Sequence, residues 1–156
     1  MDIASFADIE QDFVERAHKM VWCNVATVDT HNHPRSRILH PIWEGATGWI
    51  ATRRNTLKAT HLAHNPHVSL AYIADIARPV YVDAVAEWVD DLAQKQHIWE
   101  MFKSAPSPLG YDPTPIFERP DHPHFGLLKL TPTRIILTSD TPPFEKTIGR
   151  AKELSH

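Results

Sequence analysis

V-W-C-N-V-A-T-V (Val21–Val28), R-S-R-I-L-H-P-I-W (Arg35–Trp43) and W-I-A-T-R (Trp49–Arg53) are the segments whose reading decides the fold. All three are rich in β-branched and aromatic residues, which suit a pleated, half-buried surface. The polar D-T-H-N-H-P (Asp29–Pro34) separates the first two, and E-G-A-T-G (Glu44–Gly48) separates the second and third. Pro34 and Pro41 argue against a helix between them, because each lacks a backbone N–H and restricts the residue before it. Three strands with short connections read as a meander.

Working outward, Asn55 is placed to cap a short helix over Thr56–His64, which stops before Pro66. His67–Ala74 and Pro79–Val89 read as the next strands. Asp90 or Asp91 caps a second helix, Leu92–Ser104, with Leu92, Ile98, Trp99 and Phe102 on or near one face. Residues Ala105 to Pro123 hold six of the thirteen prolines, which predicts a long stiffened loop without regular structure, of the kind that covers or shapes a site. His124–Leu130 and Thr133–Thr138 read as two closing strands split by Thr131-Pro132. At the other end, Ser5 and Asp8 form a capping box before Phe6, Ile9, Phe13 and Ala17, so residues 1–19 are expected to be a helix. The polar tail, residues 139–156, is expected to fray or to dock on a partner. The count is six or seven strands with two or three flanking helices, and there is no Gly-rich dinucleotide fingerprint and no internal repeat. The expected fold class is mainly β (β plus α), an antiparallel six- to seven-stranded split β-barrel, since closure removes exposed sheet edges.

Composition bounds the function. With 156 residues, 42% hydrophobic and 22% charged, the chain is expected to form one globular domain over residues 1–156. No apolar run approaches the ~18–20 residues of a membrane span. An acidic start without a basic segment is no signal peptide, and the single Cys23 precludes an internal disulfide, so a cytoplasmic location is expected. A net charge of −3 argues against nucleic acid as a partner. That average conceals a cluster: Arg35, Arg37, Arg53, Arg54 and Lys58 against the one acid Glu44, a local charge of +4. Arg37 and Arg53 would sit side by side if their strands pair. Asn55–Lys58 adds free backbone N–H groups, a Thr hydroxyl and an ammonium at a helix start, a combination that favours an anion such as phosphate. The plainer alternative is a solvated basic face set against the acidic stretch Asp75–Glu100.

Sequence order sharpens this. R-I-L-H (Arg37–His40), I-A-T (Ile50–Thr52), T-L-K (Thr56–Lys58) and H-N-P-H-V-S-L (His64–Leu70) together resemble the flavin-binding split-barrel family typified by pyridoxamine 5'-phosphate oxidase. G-Y-D-P (Gly110–Pro113), P-D-H-P-H-F (Pro120–Phe125) and L-L-K-L-T-P-T-R-I-I-L (Leu127–Leu137) are similar to its general-stress-protein and actinobacterial branch. The resemblance implies an FMN-binding oxidoreductase acting on a small molecule by hydride transfer, and a homodimer with the cofactor at the subunit interface. It implies that Arg37 and Lys58 neutralise the FMN phosphate, that Thr52 and Thr56 donate hydroxyl hydrogen bonds to it, and that the main chain of Ile38, Leu39 and Ala51 runs along the ring or ribityl group. Leu57 stands where several members carry Arg, and Arg53 is the candidate replacement cation. After Leu137 the chain lacks the basic and aromatic segment that holds a vitamin substrate, so vitamin oxidation is not expected. The alternatives within the resemblance are a reductase using the deazaflavin coenzyme F-420, whose acidic tail Arg53 and Arg54 would suit, and a non-enzymatic flavin- or haem-binding protein.

Other motifs compete weakly. His61, His64 and His67 are three apart, a spacing that drifts ~60° per step around a helix and converges poorly on one ion, so no metal is assigned. An Asp121-His122 pair in the long loop is a candidate proton donor. Cys23 lies in an apolar strand and reads as a small core residue. There is no G-x-S-x-G nucleophile elbow, and catalytic side chains are left unassigned. Trp99 and Phe102 read as core, or as aromatics reaching a partner's flavin.

Overall fold

The computed structural model describes residues 2–139, 141 and 145–150. β1 (Asp2–Ser5) leads into α1 (Phe6–Met20), where the Asp8 carboxylate accepts hydrogen bonds from both the backbone N–H and the hydroxyl of Ser5, at 3.0 and 2.8 Å. Ile9, Phe13, Ala17 and Met20 form the buried stripe of α1. The helix stops at Val21, whose φ of 69° turns the chain sharply and leaves Trp22 half-exposed.

β2 (Cys23–Val28) alternates buried and half-buried residues and pairs antiparallel with β3 (Pro34–Leu39) on one side and β6 (His67–Tyr72) on the other. The expected meander breaks here. Arg35–Trp43 is not one strand: β3 ends at Leu39, and after His40 and Pro41 the chain starts β4 (Ile42–Glu44). β4 and β5 (Thr47–Arg53) form a tight hairpin whose turn uses Gly45 at φ 58°, a conformation that suits glycine. β5 pairs with β4 and β8, so Arg37 and Arg53 do not lie on paired strands. α2 (Leu57–His64) follows, with Thr56 rather than Asn55 at its N-cap.

β6 pairs with β7 (Val80–Trp88), and α3 (Leu92–Ser104) starts from Asp91, whose carboxylate accepts from the Gln94 N–H at 2.9 Å. The two closing strands are in fact one, β8 (Phe125–Thr138). Pro132 sits where β8 passes from pairing β5 to pairing β9 (Lys146–Arg150), next to a register shift opposite Asp83 and Ala84. A bulge beside a change of partner is where a strand tolerates a residue without an N–H. β9 also pairs parallel with β1, so residues 146–150 of the polar tail are sheet and not a frayed end; positions 140, 142–144 and 151–156 lie outside the described residues.

The result is mainly β with flanking helices: a nine-stranded mixed sheet in the order β1-β9-β8-β7-β6-β2-β3, with β5 and then β4 branching from β8. The sheet curls without closing. It exceeds the expected six or seven strands because β1, β4 and β9 are short and carry little periodicity. The main core packs the α1 stripe against Trp43, Tyr72, Val80 and Val82. There the Trp43 indole N–H donates to the Tyr72 hydroxyl at 2.9 Å, and Cys23 lies beside the same hydroxyl. A second cluster packs Ile98 and Phe102 of α3 against Ile42, Trp49 and Leu127, and a third joins Trp99 to Phe117 and Phe125. Trp99 and Phe102 are therefore buried core of this chain, the first of the two readings that the sequence left open.

Candidate functional site

Two clefts meet the expected residues. The larger, about 710 Å³, lies between the β2–β3 turn and the start of α2 and is lined by Asp29, Arg35, Arg37, Thr56, Lys58 and His61 among others. Its polarity follows from local structure. The Asp29 carboxylate ties the turn by accepting from the N–H groups of His31 and His33 at 2.8 and 2.9 Å, and it pairs with Arg35 at 3.0 Å. These bonds, the His33 N–H first, hold its carboxyl well below the usual range and spend its charge. Arg37 and Lys58 are left with no acidic partner within 4 Å among the described residues. Burial lowers the pKa of both, and the Arg37 charge lowers Lys58 further. Two half-buried cations that repel each other in the absence of a carboxylate make a seat for an anion.

The start of α2 contributes to that seat. Thr56 makes no side-chain cap; its hydroxyl donates to the Arg53 carbonyl at 3.3 Å and accepts from the Lys58 ammonium at 3.1 Å. The N–H groups of Leu57 and Lys58, which have no partner among the described residues, therefore remain available to a bound anion, while that of Ala59 donates to the Thr56 carbonyl at 2.9 Å. Arg37 is aimed from below: its Nη1 donates to the Thr27 hydroxyl at 2.8 Å and to the Val25 carbonyl at 3.2 Å.

The second cleft, about 360 Å³, is mostly apolar and is lined by Trp22, Ile38, Leu39, His40, Ala51, Thr52, Arg53, Pro108, Tyr111, Ile116 and Phe117. The Pro-rich segment forms one of its walls. This segment is more ordered than its composition implied: it includes α4 (Thr114–Phe117), whose Phe117 packs edge-on against Phe125. Gly110 lets it fold back, since a Cβ there would overlap the Ala105 carbonyl while the Tyr111 N–H donates to the Phe102 carbonyl at 2.9 Å. His40 lies among Trp22, Phe102 and Tyr111, with ring centroids 4.7, 5.5 and 5.3 Å away. It bonds the Leu109 carbonyl, burial lowers its pKa, and its Nε2 is sealed from solvent without a partner among the described residues.

The eight expected residues thus divide between the clefts. Arg37, Thr56 and Lys58 share the polar one; Ile38, Leu39, Ala51, Thr52 and Arg53 share the apolar one. Alternation along β3 sends Arg37 and Ile38 to different clefts, which are therefore neighbours. Thr52 and Thr56 do not share a cleft. Arg54 is drawn off by Asp90 at 3.4 Å and by the Trp88 ring at 4.4 Å, so the basic cluster shrinks to Arg37, Lys58 and Arg53. Sequence reasoning passed over Thr27, His61, His40, Trp22, Tyr111 and Phe117. His40 is the last residue of the R-I-L-H segment quoted above, directly after Ile38 and Leu39. The other histidines are dispersed: His61 bonds Thr27 at the polar cleft, His64 bonds Asn32, and His122 lies tilted against His124 at 5.1 Å with Glu118 at 3.7 Å. Asp121 pairs with Arg119 at 2.9 Å, and neither it nor His122 is among the residues lining the two clefts. Among the described residues no three His, Cys, Asp or Glu side chains gather around a common point that could hold a metal ion. No helix among them is long and apolar enough to cross a membrane.

The fold is found in several solved structures. General stress protein 26 from Bacillus anthracis is 20% identical, with 88% of this chain and 97% of that one covered at a TM-score of 0.64. An F-420 reductase is 18% identical, covering 84% and 96% at 0.58. A haem-binding protein from Mycobacterium smegmatis is 15% identical, covering 88% and 57% at 0.65. At these identities the likeness is one of fold. No curated protein matches the sequence. The family model described as pyridoxamine 5'-phosphate oxidase matches residues 9–139, which include both clefts and every strand from β2 to β8. The chain belongs to the pyridoxamine 5'-phosphate oxidase family.

Proposed function

We propose that the chain binds FMN across the two clefts and works as an oxidoreductase on a small molecule. The observation that carries this reading is the repelling pair Arg37 and Lys58, half-buried with no carboxylate partner among the described residues, beside an uncapped helix start and an apolar cleft. An FMN phosphate fits the first, and a flat, largely apolar ring system fits the second. Arg37, Lys58 and Thr56 would hold the phosphate; Ile38, Leu39, Ala51 and Thr52 would border the ring and ribityl parts, with Arg53 beside them. Bound flavin supplies hydride transfer, and the protein's share is anchoring, orientation and exclusion of water. No side chain needs to act covalently, which agrees with the inert character of Cys23, pushed up to about 12 by burial.

A homodimer is part of the proposal. β3 is an outer strand of the sheet, and Trp22, Ile38 and Ile116 at the rim of the apolar cleft are 54%, 61% and 50% exposed. A second copy laid on that rim would shield both the edge and the bound ring. The deazaflavin coenzyme is the second reading, favoured by Arg53, which has no acidic partner among the described residues, and by the fold shared with an F-420 reductase. Titrating the protein with FMN, coenzyme F-420 and haem while recording visible spectra separates the readings. The proposal expects saturable binding of FMN with a perturbed two-banded flavin spectrum; preference for the single-banded deazaflavin, or for haem, overturns it.

A further inference from the structure

Beneath the phosphate seat lies a chain of three side chains from three elements. Arg37 Nη1 on β3 donates to Thr27 Oγ1 on β2 at 2.8 Å, and Thr27 Oγ1 lies 2.9 Å from His61 Nδ1 on α2. Thr27 is 2% exposed and His61 8% exposed, so both are buried polar groups whose hydrogen bonds must be met internally. Donor arithmetic orders the chain. The guanidinium can only donate, so the Thr27 oxygen accepts from it. The Thr27 proton then needs an acceptor, and His61 Nδ1 is its one neighbour among the described residues. If His61 Nδ1 carried a proton, the buried hydroxyl would accept twice and leave its own proton unspent. The arrangement that spends every proton has His61 Nδ1 accepting from Thr27 and the ring proton on Nε2. That nitrogen makes no hydrogen bond among the described residues, and His61 lines the same cleft as Arg37 and Lys58.

We infer that Thr27 and His61 are positioning residues for the anion site: the Arg37–Thr27–His61 relay fixes the guanidinium and presents an N–H, not a lone pair, to the cleft. This rests on the FMN reading above and adds to it two residues that the family motifs do not mark. The relay explains why a threonine and a histidine are buried beneath a cation that has no carboxylate partner among the described residues. The hydroxyl and the Val25 carbonyl orient Arg37 without neutralising it, so its charge stays available to a ligand.

The test has one arm without ligand and one with it. Imidazole nitrogen correlation spectra of the free protein report which His61 nitrogen is protonated. The relay predicts Nε2–H with unprotonated Nδ1, and loss of that fixed tautomer in Thr27→Val. In the second arm, binding of FMN and of riboflavin, which lacks the phosphate, is compared by titration. Thr27→Val is expected to weaken FMN about ten-fold and to leave riboflavin unchanged, and Thr27→Ser, which keeps the hydroxyl, restores FMN binding. His61→Leu should behave as Thr27→Val does. A protonated Nδ1, or Thr27→Val and His61→Leu proteins that are folded and bind FMN as the wild type does while Lys58→Ala weakens it, overturns the relay and leaves the FMN reading standing. A wild type with no preference for FMN over riboflavin overturns the FMN reading and the relay with it.

Discussion

Replacing Lys58 by alanine separates cofactor binding from stability. In the free protein the ammonium is half-buried, bonds only the Thr56 hydroxyl among the described residues, at 3.1 Å, and is repelled by Arg37. Its removal relieves that repulsion, so the variant is expected to melt no lower than the wild type. With a phosphate in place the same ammonium makes a charge-assisted hydrogen bond worth about 1.5–3 kcal/mol. Partial exposure screens it toward the middle of that range, and ~2 kcal/mol corresponds to roughly 30-fold in Kd. Calorimetric titration with FMN should show that loss, while riboflavin affinity stays constant. Adding Arg37→Ala should cost a similar factor again, less than additively because both cations serve one phosphate. Wild-type FMN binding should also weaken with salt more steeply than that of Lys58→Ala. A loss below about 3-fold, or an equal loss for riboflavin, would refute the placing of the phosphate.

Three further outcomes follow from other parts of the molecule. Asp29→Asn removes the carboxylate that ties the β2–β3 turn; because folding lowers its pKa, its stabilisation is present above the ordinary value of 3.8 and fades as the pH falls below it. Melting curves should therefore show a deficit at neutral pH that narrows in acid, and a deficit constant with pH would contradict the assignment. Cys23, with its thiol pushed up to about 12, should resist iodoacetamide in native protein at pH 8 and react once unfolded; rapid native alkylation would place it elsewhere than in the core. Tyr72→Phe leaves the buried Trp43 indole N–H without its acceptor and should cost about 1–3 kcal/mol in urea unfolding, with FMN affinity unchanged.

How much of this was legible in the sequence depends on the length of the element. β2, β7 and the α1 stripe carry enough periodicity to be read directly, and α3 announces its cap at Asp91. β1, β4 and β9 are three to five residues long, and they exist because neighbouring strands complete them, which no local pattern records. Thr131-Pro132 looked like a strand break because proline normally is one; a bulge opposite Asp83 absorbs it instead. The site was partly legible for the same reason. Charge at a helix start is a local signal, so Arg37, Thr56 and Lys58 could be found together. His61 and Thr27 are separated by 34 positions and meet only through the packing of α2 on β2. The pairing of Arg54 with Asp90, which removes one cation from the cluster, is equally non-local.

A structure of the protein with FMN bound decides where the phosphate sits. The phosphate is expected within hydrogen-bond distance of Arg37 and Lys58 at the start of α2, with the ring along Ile38, Leu39 and Ala51. A phosphate seated elsewhere, for example in the cleft of Arg16, Lys19 and Arg78 beside α1, with Arg37 and Lys58 left bare, would contradict that placing.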